Sequence, residues 1–165
     1  ELPLKEDITL NDDYNLNFKD NLVSLKIYNE VDEIEENKFR LKNNLRIKKN
    51  TILRSNETLI LDNNLNINIS NGSTLFIEGS LNKLNKEKDF IKISSSDGSG
   101  SIIFRNNEFE LSNVHFDNLY KPNISDYILY GGVNFINSKL VLKDVIVTNS
   151  NQEDAMNIVN SNSKI

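Results

Sequence analysis

The sequence predicts an all-β fold, a right-handed parallel β-helix with three strands per coil, about 23 residues per coil and an N-terminal capping segment. Three observations carry this. Asn, Ile and Lys supply 63 of the 165 residues while alanine occurs once, at Ala155. Scarce alanine disfavours helices, and isoleucine with asparagine favours strands joined by tight turns. Short runs alternate apolar and polar residues, the period of a strand with one buried face. Finally, the sequence repeats itself. Residues 133–138 (VNFINS) match 156–161 (MNIVNS) at an offset of 23, and 104–118 (FRNNEFELSNVHFDN) match 135–149 (FINSKLVLKDVIVTN) at an offset of 31.

Taken in order, residues 1–44 read as N-terminal strands and a cap. Strand-like runs fall at 8–10, 16–18 and 22–28, and 30–41 is expected to form a short amphipathic helix with Val31, Ile34 and Leu41 on its apolar face. Residues 45–165 read as the β-helix. Over 50–81, turns fall at Ser55-Asn56, Asn63-Asn64 and Asn71-Gly72, and Ile52, Leu59, Leu61, Leu65, Ile67, Ile69, Leu75 and Ile77 are expected to fill the interior. Farther on, Leu140–Leu142 and Val145–Val147 flank the corner Lys143-Asp144, and 133–136 gives the third strand of the coil. The offset of 31 is then one coil plus an insertion of about eight residues within 119–132. An up-and-down antiparallel domain shares the alternation but gives no reason for a 23-residue repeat.

Asparagines at coil-equivalent corners predict side-chain ladders along the axis, with Asn106/Asn137/Asn160 and Asn118/Asn149 as members and Asn113 paired with Asp144 at another corner. Ile136, Val141 and Ile146 are expected to point outward as an apolar stripe.

The stretch GGVNFINSKLVLKDVIVTNSNQEDAMNIVNS (131–161) resembles the pectate-lyase-like right-handed β-helices of bacterial surface proteins. It is similar in particular to solenoids that accompany CotH-like spore-coat kinase domains. The resemblance covers roughly 45–165, with NETLILDNNLNINISNGSTLFIEGSL (56–81) similar to the entry coils of such solenoids. It implies an extracellular or cell-surface location. No lyase or hydrolase motif comes with it.

Composition closes several routes. The absence of Cys removes disulfides, thiol nucleophiles and thiolate zinc sites. His115 is the only histidine, and no cofactor or metal site is read from the chain. Eleven acids and three lysines crowd residues 1–37, but Glu30, Asp32, Glu33, Glu35 and Glu36 lack the glycine-turned loop of a calcium site and read as a solvated face. A net charge of −5 argues against nucleic acid as a partner, and no apolar run approaches the roughly 18 residues of a membrane span. His115 and Asp117 share an outer face without a serine beside them, and Asp117, Asp144 and Asp154 stand as isolated acids, so no two-carboxylate centre assembles.

The insertion LYKPNISDYILYGG (119–132) is the expected contact surface, with Tyr120, Asp126, Tyr127 and Tyr130 for a polysaccharide or a protein partner. The function expected is a non-catalytic scaffold or recognition segment of a larger surface protein. Two alternatives stand beside it: part of a polysaccharide lyase or hydrolase whose catalytic coils lie outside this chain, and a self-assembling structural subunit. The repeat stops mid-coil at Ile165, which predicts that the native chain continues or that a partner covers the edge.

Overall fold

A computed structural model describes residues 22–62, 64–84, 90–124 and 129–164. The chain is a parallel β-solenoid of about six turns of roughly 24 residues, with 58% of it in strands. It enters through β1 (Val23–Ser24), a 3₁₀ turn at Leu25–Ile27 and a hairpin of β2 (Val31–Glu35) and β3 (Lys38–Leu41). The helix expected over 30–41 is this hairpin instead. Asn37 takes a left-handed φ of 58° and reverses the chain, and Phe39 and Leu41 then both face the core at the period of a strand. The first turn continues with β4 (Leu45–Ile47) and β5 (Thr51–Leu53), the next with β6 (Thr58–Leu61), β7 (Asn66–Ile69) and β8 (Thr74–Ile77). Then come β9 (Ser80–Lys83), β10 (Ile91–Ser94) and β11 (Ser101–Arg105). In the last turns, the long strands β12 (Glu108–Asp117) and β14 (Lys139–Thr148) alternate with β13 (Gly131–Ile136) and β15 (Asp154–Val159), before β16 (Asn162–Lys164).

Three sheets result. One runs β1-β5-β8-β11-β13-β15, the second β4-β7-β10-β12-β14-β16, and the third β2-β3-β6-β9. Every pairing is parallel except β2 with β3, whose antiparallel hairpin covers the first edge of the third sheet. The ladders of β1 with β5 and of β3 with β6 reach upstream of residue 45. The repeat registers are the ladder registers. At offset 31 Phe104 lies on Phe135 and Phe109 on Leu140, and at offset 23 Asn134 lies on Asn157.

The turns stack because one apolar side chain per strand position meets its equivalent a coil away, about 4.8 Å along the axis. Phe104 sits at the centre of the interior, stacked on Phe135 at 4.8 Å and edge-on to Phe109 and Phe116 at 5.1 and 6.2 Å. All but one of the residues expected inside over 50–81 belong to this core. Ile52 does not. It is buried on the outer face of the first sheet, in a second cluster with Phe76, Ile103, Leu129 and Ile136. That cluster also corrects the outward stripe: Val141 and Ile146 are exposed, but Ile136 is 4% exposed because it shares a cluster with Ile124 and Leu129, from the two described ends of the 119–132 insertion. Gly132 permits the insertion to return to the sheet, since a Cβ there would lie 2.6 Å from the Leu119 carbonyl group.

The corners explain the asparagine content. Nine asparagines (Asn37, Asn64, Asn71, Asn106, Asn113, Asn118, Asn137, Asn149 and Asn160) and Asp144 have φ between 46° and 60° among the described residues. Apart from glycine, Asn and Asp tolerate this left-handed conformation best.

Candidate functional site

The insertion leaves the second sheet at a corner where three turns converge. Tyr120 donates its backbone N–H to Gly100 O at 2.8 Å, and Gln152 Nε2 donates to Leu119 O at 3.1 Å, so neighbouring turns clamp the start of the insertion. Leu119 and Leu129 are buried, while Tyr120 is 41% and Tyr130 50% exposed. Leucine and isoleucine therefore anchor the insertion, and these two tyrosines face solvent. Asp126 and Tyr127 lie outside the described residues.

Tyr120 borders a groove of about 380 Å³ lined also by Ser96, Asp97, Gly98, Asn118, Asn149 and Asn151. Tyr130 does not line it. The floor is pre-shaped by a loop, Ser95–Gly100, held from below. Asp97 accepts the Asn71 N–H at 2.8 Å, and Gly72 donates its N–H to Ser99 Oγ at 2.8 Å, so two successive left-handed residues of the turn below hold the loop. Asp97 also accepts from Ser99 Oγ at 2.7 Å and Ser95 Oγ at 2.9 Å. These donors, the Asn71 amide first, hold its carboxyl well below the usual carboxylate range. Gly98, at φ +68°, lets the Asn118 side chain approach to 3.4 Å from where a Cβ would stand. Asn118 in turn donates to Ser95 O at 2.8 Å.

The ladder candidates divide. Asn160 Nδ2 donates to Asn137 Oδ1 at 2.7 Å, and Asn137 Nδ2 to Asn106 Oδ1 at 3.4 Å, so these three form a column. Asn118 and Asn149 stack without bonding each other, because Asn149 Nδ2 turns to Asp117 Oδ1 at 2.6 Å. Asn113 and Asp144 share a left-handed corner at φ 52°.

Asp117 is the hub of a second polar group on the outer face of the second sheet. Lys92 Nζ lies 2.7 Å from Asp117 Oδ2, and Thr148 donates to Asp117 Oδ1 at 2.8 Å. Lys92 foremost, then Thr148 and Asn149, lowers the Asp117 pKa to about 2. His115 Nε2 lies 2.7 Å from Thr148 Oγ1. A hydroxyl has one proton, and here Thr148 gives it to a carboxylate that only accepts. His115 must therefore donate its Nε2–H to Thr148, which is the reverse of a base activating a nucleophile. The register puts Thr148 opposite Asp117, and it puts Lys92 opposite His115. The 31-residue offset identifies Thr148, whereas Lys92 and Asp97 carry no repeat signal. Only the Asp97-Gly98 pair, inside a serine-rich run, marks a turn.

No family model matches the chain, and no curated protein or solved structure shows significant similarity to it. The likeness to pectate-lyase-like and CotH-associated solenoids is therefore a resemblance of sequence stretches, and the structure supports it only as far as a parallel β-solenoid. Among the described residues no helix is long and apolar enough to cross a membrane, and no group of three or more metal-ligating side chains gathers.

The Asp117 hub makes a pH prediction. Its folded pKa, about 2, lies below the unfolded value of about 3.9. The stability it contributes is complete above the unfolded value and is lost as pH falls through the folded one. The melting temperature is therefore expected to drop between about pH 5 and pH 2. Thermal unfolding across that window should show a shallower slope for Asp117→Asn; an unchanged slope would remove Asp117 from the acid response.

Proposed function

We propose that the chain is a non-catalytic recognition scaffold, the solenoid holding a carbohydrate-contacting corner at Tyr120 on the surface of a larger extracellular protein. The observation that carries the reading is the groove itself. An exposed tyrosine ring stands beside Asn118, Asn149, Asn151 and Asp97, whose amide and carboxylate groups match the paired hydroxyls of a sugar, and stacked parallel strands fix their positions. The ring supplies apolar area for a sugar face, and the polar groups select orientation. Because several are already tied to backbone or neighbouring side chains, little side-chain freedom is lost on binding. The extracellular setting follows from the resemblance, not from the groove.

The test is binding of soluble polysaccharides, neutral and uronate, to the purified chain by titration calorimetry. Tyr120→Ala is expected to weaken the polysaccharide that binds by about tenfold or more, since a buried aromatic contact is worth 1–2 kcal/mol or so. Tyr130→Ala, outside the groove, is expected to change affinity little. Equal loss in both variants, or binding unaffected by Tyr120→Ala, would overturn the groove as the contact site.

A further inference from the structure

The third sheet is interrupted. It ends at β9, while the first half of β12, the next strand along this wall, joins β14 and β16 instead. Almost none of the Cα atoms of β9 and β12 come within 8 Å of one another, whereas paired strands lie about 4.8 Å apart. Side chains bridge the break at its two ends: Asn107 Nδ2 donates to Glu78 O at 2.9 Å, and Lys83 Nζ to Ser112 O at 3.0 Å. Between the bridges lies a cleft of about 350 Å³ lined by Leu81, Asn82, Lys83, Glu110 and Ser112. Beneath it, a small cavity of about 20 Å³ that shares Leu81, Lys83, Glu110 and Ser112 reaches the core at Leu61, Ile93 and Leu111.

The strand edges on either side face the cleft. Ser80 and Leu84 donate their N–H groups back to Glu57 O and Leu61 O, so the alternating geometry of a strand turns the Leu81 backbone toward β12. Lys139 donates to Asn107 O, so Glu110 turns its backbone toward β9. No hydrogen bond joins the Leu81 or Glu110 backbone to any described residue across the cleft. The side chains mark the break. Lys83 occupies the register position of the core residue Leu61, and an inward lysine there leaves the floor without the apolar side chain that closes the wall one turn earlier.

We propose that this break is a strand-accepting slot, which takes one extended segment of a second polypeptide in parallel register between β9 and β12. Two edges held farther apart than paired strands, with facing rows of backbone groups, call for a strand, the one element that satisfies donors and acceptors on both sides at once. Alternate apolar side chains of the segment cover the core floor. Its outward side chains pass Glu110, which selects a cationic residue there, whereas Glu108 is already paired with Lys139. The slot lies on a different wall from the Tyr120 groove, and the two readings stand or fall separately.

The probe is a capped peptide copying residues 137–143 (NSKLVLK), which carries the required alternation and already pairs with β12 on its other edge. Titrated into isotope-labelled protein, it is expected to give saturable shift changes at residues 80–83 and 108–112 and about tenfold slower exchange of the Leu81 and Glu110 amides. Glu110→Pro removes the N–H at the middle of the slot's β12 edge and none that faces β14, so it should abolish those changes while leaving the folded spectrum intact. No saturable change at these residues at about 1 mM peptide, changes confined to β14–β16, or equal binding by Glu110→Pro would each overturn the slot.

Discussion

Phe104→Ala is expected to be the most damaging single truncation in the molecule, lowering stability by about 3–5 kcal/mol as read from the midpoint of urea unfolding. Phe104 is fully buried and touches three other rings, Phe135 in the turn above and Phe109 and Phe116 on the facing wall. Removing it empties the middle of one turn and takes the stacking partner from the next. A solenoid turn contacts only its neighbours, so the damage should be local before it is global. Amides of β11, β12 and β13 are expected to lose exchange protection first, while β4 and β7 keep theirs. Uniform loss along the chain would show that the solenoid unfolds as one cooperative block. Val141→Ala, on an exposed position of β14, should by contrast change stability by less than about 0.5 kcal/mol.

The turns were legible in the sequence because asparagine marks the same corner in each of the later coils, at 106, 137 and 160, and Phe104 and Phe135 mark the same interior place in two of them. The registers of Phe104 on Phe135 and of Asn134 on Asn157 follow from alignment of the chain with itself. What the sequence hid has physical reasons. Val31, Ile34 and Leu41 fit a helical face, but the reversal at Asn37 decides for a hairpin, and an asparagine alone does not announce a left-handed residue. Ile136 faces outward as alternation predicts yet is buried, and Ile52, read as inward, lies on that same outer face, because burial depends on what covers a face, here the distant residues Ile124 and Leu129. The Tyr120 corner was legible as an insertion rich in tyrosine. Its polar floor was not, since Asp97 comes from an earlier turn and Asn149 and Asn151 from a later one. Lys83 carries no signal in the sequence, and only the pairing of β6 with β9 shows that it stands where a leucine stands one turn before.

The asparagine columns pose the sharper question: whether Asn is chosen for its amide or for its backbone. Asn137 answers to both, with φ 49° and with its amide bonded to Asn106 on one side and Asn160 on the other. The two amide bonds are exposed, so each is expected to contribute about 0.5–1 kcal/mol. The left-handed backbone costs an ordinary L-residue about 1–2 kcal/mol and a β-branched one more. Asn137→Gly keeps the backbone at ease and loses only the ladder, and should cost about 1 kcal/mol. Asn137→Val loses both and should cost about 2–3 kcal/mol. The difference between the two variants in urea midpoint isolates the backbone contribution. If glycine and valine destabilise equally, the amide ladder is what fixes asparagine at this corner. If glycine is nearly silent and valine severe, the left-handed turn selects the residue, and the ladder follows from stacking turns that each need one.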